Sequence, residues 1–543
     1  MTVPYTFATA TTPIALSELD ANFASVGNSA NISYNEGGTS AVTRTVTSKL
    51  QEYVSVLDFG AVGDGTTDDT SAIQNAINAV NSAGGGTLLF GSGLTYLVTT
   101  LTPKASVYID LNNSTLYEKN SSSNPIFYDG RTTGSFLIGF GVSNGTLNLN
   151  GLNNKSSNSS GSGIWLTNWK QLVFENLTVI NANRVVFNFY GCGNVTFNNI
   201  YCTDCGISSS AYQAYIGYFA RSADGNNCQF IDINNFVVSN CYGFGFNFYQ
   251  TINFTANNVL FNSLTYPTSI AITCTQAAYG VLNNVTCTNV GNSGTGDSIE
   301  VNASTDIQFN NTVVNSPGRY AVLTGDNTTG IYNQRISFKN LVTTNTGGSY
   351  SLALAYVQYC TFDGLNCDKG LSDNNSITGD CENTILNSTF NIAITGYFTY
   401  YNKFSLSRVN FTNVYVNNWN GNVGILSNSK SGLEQYSFSM ANSATSAIDI
   451  SVLINFGLKG FAAGKLKVNS SYNANQASYQ ECAFLGSSNL TDFNLSSVTT
   501  VSTAIPRVVT ISTVPASGQI LLTNSTGVAL NVNWTVELSG ASS

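Results

Sequence analysis

The sequence predicts an all-β protein: a parallel β-helix with a short capping α-helix at its start and an antiparallel β-sandwich at its end. Three observations carry this. A short phrase centred on Asn recurs through residues 130–430, and the strands around it alternate apolar and polar residues with no helical period. Near residue 70 an amphipathic helical pattern precedes the repeats.

In chain order, residues 1–50 form a leading segment. Its start, "MTVPYTFATATTPIALSELDANF", has neither the basic beginning nor the apolar core of a signal peptide, so synthesis in a cytosol without encoded export is expected. Residues 51–100 contain "VLDFGAVGDGTTDDTSAIQNAI", which packs four Asp and three Gly into Asp58 to Asp69. A phosphate loop would need a following Lys-Ser/Thr and a calcium loop a terminal Glu, and both are missing. The stretch reads instead as turns and a cap for a helix with Ile73, Ile77 and Val80 on one face. Thr67, Asp68 or Asp69 would start that helix, and Gly84 to Gly86 would end it. Such a helix can cover the open end of a solenoid core.

Residues 101–430 hold the repeat. Its copies centre on Asn176, Asn199, Asn235, Asn258, Asn284, Asn311 and Asn340, with Gly364 in the next Asn position. The steps are 23, 36, 23, 26, 27, 29 and 24 residues, one rung each with one long insertion. Rungs stacked about 4.8 Å apart turn equivalent positions into columns. Three places after the Asn, the column reads Val179, Cys202, Val238, Phe261, Cys287, Val314 and Thr343, an inward and mostly apolar set. Its cysteines read as small core side chains, and the Asn amides as partners for turn backbone. After about residue 430 the repeat fades. "ALNVNWTVEL", "VVTISTV", "GQILLTN" and "AIDISVLINF" suggest the sandwich over 431–543, as a trimerisation or carbohydrate-binding unit.

Composition narrows the chemistry. Only 9% of residues are charged and the net charge is −9, which leaves no electrostatic footprint for nucleic acid. No stretch is long and apolar enough to span a bilayer. With no histidine, His-based triads and His-ligated zinc are excluded. No metal or other cofactor is expected.

The stretch "LQEYVSVLDFGAVGDGTTDDTSAIQNAI", with "TFATATTPIALSELDANF" and "AVTRTVTSKLQEYVSV" upstream, resembles the start of pectin-lyase-like β-helices and is similar to bacteriophage tailspikes. That resemblance covers residues 1–100. It implies a right-handed β-helix in a homotrimer and attachment to the phage tail or baseplate through the N-terminal segment. It also implies binding and depolymerisation of capsule or lipopolysaccharide at the bacterial surface.

Glycoside hydrolysis needs one protonated and one ionised carboxyl group. The stretch "GTGDSIEVNASTD" offers both: Ile299 and Val301 point inward, so Glu300 points outward, in a column with Asn188, Asn247 and Ala271. Asp297 begins the same strand and Asp326 ends the corresponding strand one rung later. Either could be the second carboxyl group. Asp224 and Asp380 are weaker candidates, and Asp363 and Asp368 read as turn residues. The inserted loop carries Tyr212, Tyr215, Tyr218 and Phe219 to stack on sugars, with Arg221 for an acidic sugar. Tyr242, Tyr249 and Tyr320 could continue a groove along the rungs. Two alternatives stay open: a lyase using Tyr or Arg, for example Tyr320 beside Arg319, and a spike that binds polysaccharide without cutting it. A cellular pectin-type hydrolase fits less well, given the start of the chain.

Overall fold

In the computed structural model, the described residues are 53–373, with breaks at 155–160, 207–213, 292–294 and 326–331, plus parts of 20–50 and separate strands beyond 373. The repeat builds a parallel β-helix. Its long strands, such as Trp169–Ile180, Gly193–Thr203, Gln229–Cys241, Ile252–Leu264 and Ala278–Val290, pair in parallel, each with the next. Shorter strands form a second parallel sheet, which includes Ile164–Thr167, Phe187–Tyr190, Tyr215–Ala220, Phe244–Tyr249, Ile272–Thr275, Ile299–Asn302 and Val322–Gly325.

The inward column lies in the register read from the repeat. Val179, Cys202, Val238, Phe261, Cys287, Val314 and Thr343 pair in sequence from rung to rung. All seven side chains are buried. The nine described cysteines are likewise buried and free. Farther along, Phe309, Phe338 and Phe362 stack at 4.5 and 6.0 Å, so one ring type continues the core across three rungs.

The repeat Asn residues sit at the bend within each long strand. Asn144 and Asn176 through Asn340 have φ between +51° and +58°, the left-handed region that Asn tolerates better than other side chains. Gly364 takes the same bend at φ +68°. The amides do not bond to turn backbone, contrary to the expectation. Stacked one strand spacing apart, they reach one another: Asn340, Asn311, Asn284, Asn258, Asn235, Asn199 and Asn176 each donate to the preceding Asn at 2.9–3.2 Å. Asn144 then donates to the Asp110 carboxylate at 3.1 Å. A second ladder runs beside the first, from Asn310 through Asn283, Asn257, Asn234 and Asn198 to Glu175. Both runs of aligned N–H donors thus end on a carboxylate, the strongest acceptor available.

The start of the helix is built from the Asp-rich stretch. The α-helix Thr70–Ser82 buries Ile73, Ala76, Ile77 and Val80 against the first rungs. Asp69 precedes it, but its carboxylate turns away to accept from the N–H groups of Val62 (2.6 Å) and Gly63 (3.1 Å). Asp68 accepts from Thr70 N–H at 3.1 Å and from Lys119 Nζ at 2.9 Å. Asp64 accepts the N–H groups of Thr67 and Thr66, which pull its pKa down to about 2. These carboxylates are spent on local backbone and, for Asp68, also on Lys119. No helix among the described residues is long and apolar enough to cross a membrane.

Beyond residue 430 the described strands are antiparallel. Leu433–Met440 and Phe461–Asn473 flank Leu530–Leu538, and Thr445–Asp449 and Thr510–Val514 flank Gln519–Thr523. The expected change from parallel to antiparallel pairing is present.

Candidate active site

The second sheet turns one outward column to solvent. Its register runs Tyr128, Trp165, Asn188, Tyr218, Asn247, Thr273, Glu300, Leu323. Glu300, Asn188 and Asn247 stand where the alternation put them. Ala271 does not: it is fully buried, and Thr273 pairs with Glu300. "SIAIT" alternates in either of two registers, and the inward residues are Ile272 and Cys274 rather than Ile270 and Ile272.

The insertion also differs from the expected loop. Tyr215–Ala220 is a strand of this sheet, paired on both sides. Tyr215 and Tyr218 are both partly exposed, while Phe219 is buried in the core and cannot meet a ligand.

Glu300 and Asp297 act on each other. Asp297 is 1% exposed, and Arg319 grips it through two hydrogen bonds, Nε to Oδ1 at 2.9 Å and Nη2 to Oδ2. The N–H of Tyr320 adds a third, 3.1 Å from Oδ1, and the Tyr320 ring lies 4.8 Å from the Arg319 guanidinium. Glu300 is left with one long hydrogen bond, from Asn302 Nδ2 at 3.4 Å. Burial raises its pKa, the Asp297 charge adds to the effect, and the carboxyl group is pushed up to about 7. A neutral carboxylic acid beside a locked carboxylate is an arrangement suited to proton donation.

Aromatic rings line the same sheet on the rungs that precede this pair. Tyr128, Trp165, Tyr190, Tyr218, Tyr215, Phe244, Tyr266 and Tyr242 form an unbroken path, with successive centroids 5.0–6.1 Å apart. Burial raises the Tyr215 phenol, with the Glu300 charge contributing, and pushes the Tyr218 phenol up to about 12. Tyr249 heads the neighbouring column, followed by Thr275 and Asn302. Between the rings, Oδ1 of Asn188 and of Asn247 accept no hydrogen bond.

Other expected residues have other places. Asp224 Oδ2 accepts from Gly134 N–H and Asn168 Nδ2, both at 2.7 Å, and so ties two loops together. Arg221 donates Nε to Gly225 O at 2.9 Å within its own turn. Asp368 accepts from Thr343, Thr346 and Ser351 as a local hub; burial opposes its ionisation, but these bonds outweigh burial and lower its pKa. Asp326, Tyr212 and Asp380 lie outside the described residues. Trp165, Tyr190 and Phe244 were missed in the sequence. The signal for Trp165 was available, since "GIWLT" alternates like "VFNFY" and aligns it with Asn188.

Residues 53–111 match the family model described as rhamnogalacturonase A/epimerase, pectate lyase-like. The tail spike protein of Shigella phage Sf6 is 54% identical over 50 residues, 9% of this chain and 8% of that protein. Mannuronan C5-epimerase AlgE3 of Azotobacter vinelandii is 50% identical over 62 residues, 10% of this chain and 3% of that protein. This chain therefore spans a small part of these curated relatives. A solved tailspike protein of E. coli bacteriophage HK620, a mutant in complex with pentasaccharide, superimposes with a TM-score of 0.51 at 11% identity, covering 95% of this chain and 99% of that one. The fold is shared with a phage tailspike. The chain combines that parallel β-helix with a pectate-lyase-like opening segment.

Proposed function

We propose that this chain is a phage tailspike that binds a bacterial surface polysaccharide, capsule or O-antigen, along its second sheet and cuts it by endo-glycosidic hydrolysis. The observation that carries the proposal is Glu300: an outward acid in the same column as Tyr218 and Trp165, held protonated near neutral pH by burial and by Asp297. In this reading Glu300 donates its proton to the glycosidic oxygen as the bond to the anomeric carbon breaks. Water supplies the hydroxyl group that completes the cut. Asp297, engaged by Arg319 through both oxygens, keeps Glu300 protonated and does not take part in proton transfer itself. Asp326, which directly follows the strand paired with Ile299–Asn302, is assigned to the attacking water. Tyr215, Tyr218, Tyr249 and Tyr320 supply sugar-stacking faces.

A lyase is less well supported. Of the pair Tyr320 and Arg319 that would serve it, the Arg319 guanidinium is committed to Asp297, and the Tyr215 and Tyr218 phenols along the sheet are raised and so harder to ionise. The relatives' tailspike and polysaccharide-acting names support the substrate class. Attachment through the N-terminal segment and a homotrimeric state belong to the same proposal.

The test is incubation with a panel of purified capsular and O-antigen polysaccharides, following polymer size, new reducing ends and ultraviolet absorbance. Hydrolysis gives shorter polymer and reducing ends without absorbance. Absorbance from a new double bond would replace hydrolysis with elimination, and tight binding at unchanged polymer size would leave a non-cutting spike.

A further inference from the structure

Among the described residues, the ring-to-ring path lies on the N-terminal side of Glu300, and of the assigned stacking faces only Tyr320 lies on the other. On the N-terminal side of Glu300, the outward column passes through Thr273, Asn247, Tyr218 and Asn188 to Trp165, five rungs away. At about 4.8 Å per rung this is a span of about 24 Å. On the other side the column continues as Leu323, Ala353 and Ser372, which offer no ring.

The far end of the path is built for a polar ligand with flat faces. Trp165, Tyr190 and Tyr218 are each partly exposed, with centroids 6.1 and 5.9 Å apart. Asn188 lies in the column between Trp165 and Tyr218 and is 4% exposed, yet its Oδ1 has no hydrogen-bond partner. An orphaned acceptor at such a depth is costly unless a ligand donor meets it. A bare apolar ligand would leave it unmet. A sugar supplies both needs, since its C–H face stacks on a ring while its hydroxyl groups donate at the edge.

We infer that Trp165, Tyr190 and Asn188 form a distal saccharide subsite five rungs from Glu300, so that one long arm of the polysaccharide is held on the N-terminal side of the cut and little on the other. The inference rests on the hydrolase reading above and adds to it the minimum length and the position of the substrate. A pyranose in an extended glycan advances by close to one rung, so the arm accommodates roughly one sugar residue per rung. The products of a digest then have a lower size limit, set by the arm.

The test uses the full chain in a Glu300→Gln background, so that binding is measured without turnover. The probe is a set of size-fractionated oligosaccharides, prepared by mild acid from whichever panel polysaccharide the wild-type chain binds. Affinity is expected to step up once the oligosaccharide is long enough to reach Trp165. Trp165→Ala and Tyr190→Ala should each weaken binding of long oligosaccharides about tenfold and leave short ones unchanged. Trp165→Phe, which keeps a ring, should retain most of the step. The ligand-induced change in tryptophan fluorescence should be smaller in Trp165→Phe, which removes one of the four Trp residues while keeping a ring at the subsite. Equal loss for short and long oligosaccharides, or no loss at all, would overturn the distal subsite while leaving the hydrolase reading intact. A change in oligomeric state on Trp165→Ala would overturn it in favour of a subunit contact. If the wild-type chain binds no panel polysaccharide, the underlying reading fails, and the subsite with it.

Discussion

Two outward columns of the same β-helix follow opposite rules. At the strand bends, Asn stands on seven repeat rungs from Asn176 to Asn340, and each amide is bonded to the amide or carboxylate below it. On the second sheet the column reads Trp165, Asn188, Tyr218, Asn247, Thr273, Glu300 and Leu323, with few residue types repeated and two Asn acceptors left unpaired. Both columns share one rise and one backbone. Repetition is what a self-satisfying ladder needs, because only like amides pair indefinitely. Variation is what recognition needs, because a ligand with distinct groups meets distinct side chains. On a solenoid with so few charges, the place where the repeat breaks is the place to look for chemistry.

The comparison is broken most sharply at the irregular column. Asp297→Asn removes the negative charge that helps hold Glu300 protonated and frees the Arg319 charge, and both changes favour ionised Glu300. The alkaline limb of the pH–rate profile, expected near pH 7 in the wild type, should move to lower pH. Activity lost at neutral pH should return on acidification. An unmoved limb would separate Asp297 from the acid.

A smaller effect is expected on the regular column. Asn258→Ala breaks the bonds to Asn284 and Asn235, 2.9 and 3.0 Å long, and puts Ala at φ +56°. The loss should be about 1–2 kcal/mol, read from denaturant midpoints, with cleavage per folded molecule unchanged.

A stability effect of a different kind, read against pH, comes from inside the core. Glu118 is fully buried, and burial raises its pKa from 4.5 to about 8. Because the folded value is the higher one, stability is greatest below pH 4.5 and is lost as pH rises to about 8. Glu118→Gln should flatten that decline in thermal-melt series across this range. If it does not, another group carries the pH dependence.

How much of this was legible depended on what each residue's environment constrained. The inward column from Val179 to Thr343 could be aligned because burial admits only apolar or small side chains there, and the Asn phrase fixed its phase. Glu300 could be assigned outward because Ile299 and Val301 bracket it. Ala271 was misplaced because alternating apolar residues fit two registers equally, and only the pairing with Ile299 decides. Tyr215 and Tyr218 read as loop residues from sequence because the 36-residue step from Asn199 to Asn235 looks like one long insertion, and their short strand lies inside it. The Asp297–Arg319 grip is a contact between successive rungs, 22 residues apart in sequence, and no local pattern announces it. The amide ladder hid its partners for the same reason: each is a full rung away.

The most direct measurement is the release of reducing ends from the cognate polysaccharide by Glu300→Gln, at the wild-type pH optimum and with melting temperature matched. A fall of about 10²–10⁴-fold with binding retained is expected, the loss that follows when a proton donor is removed from an otherwise intact groove. Cleavage at the wild-type rate would contradict it and move the chemistry off this column.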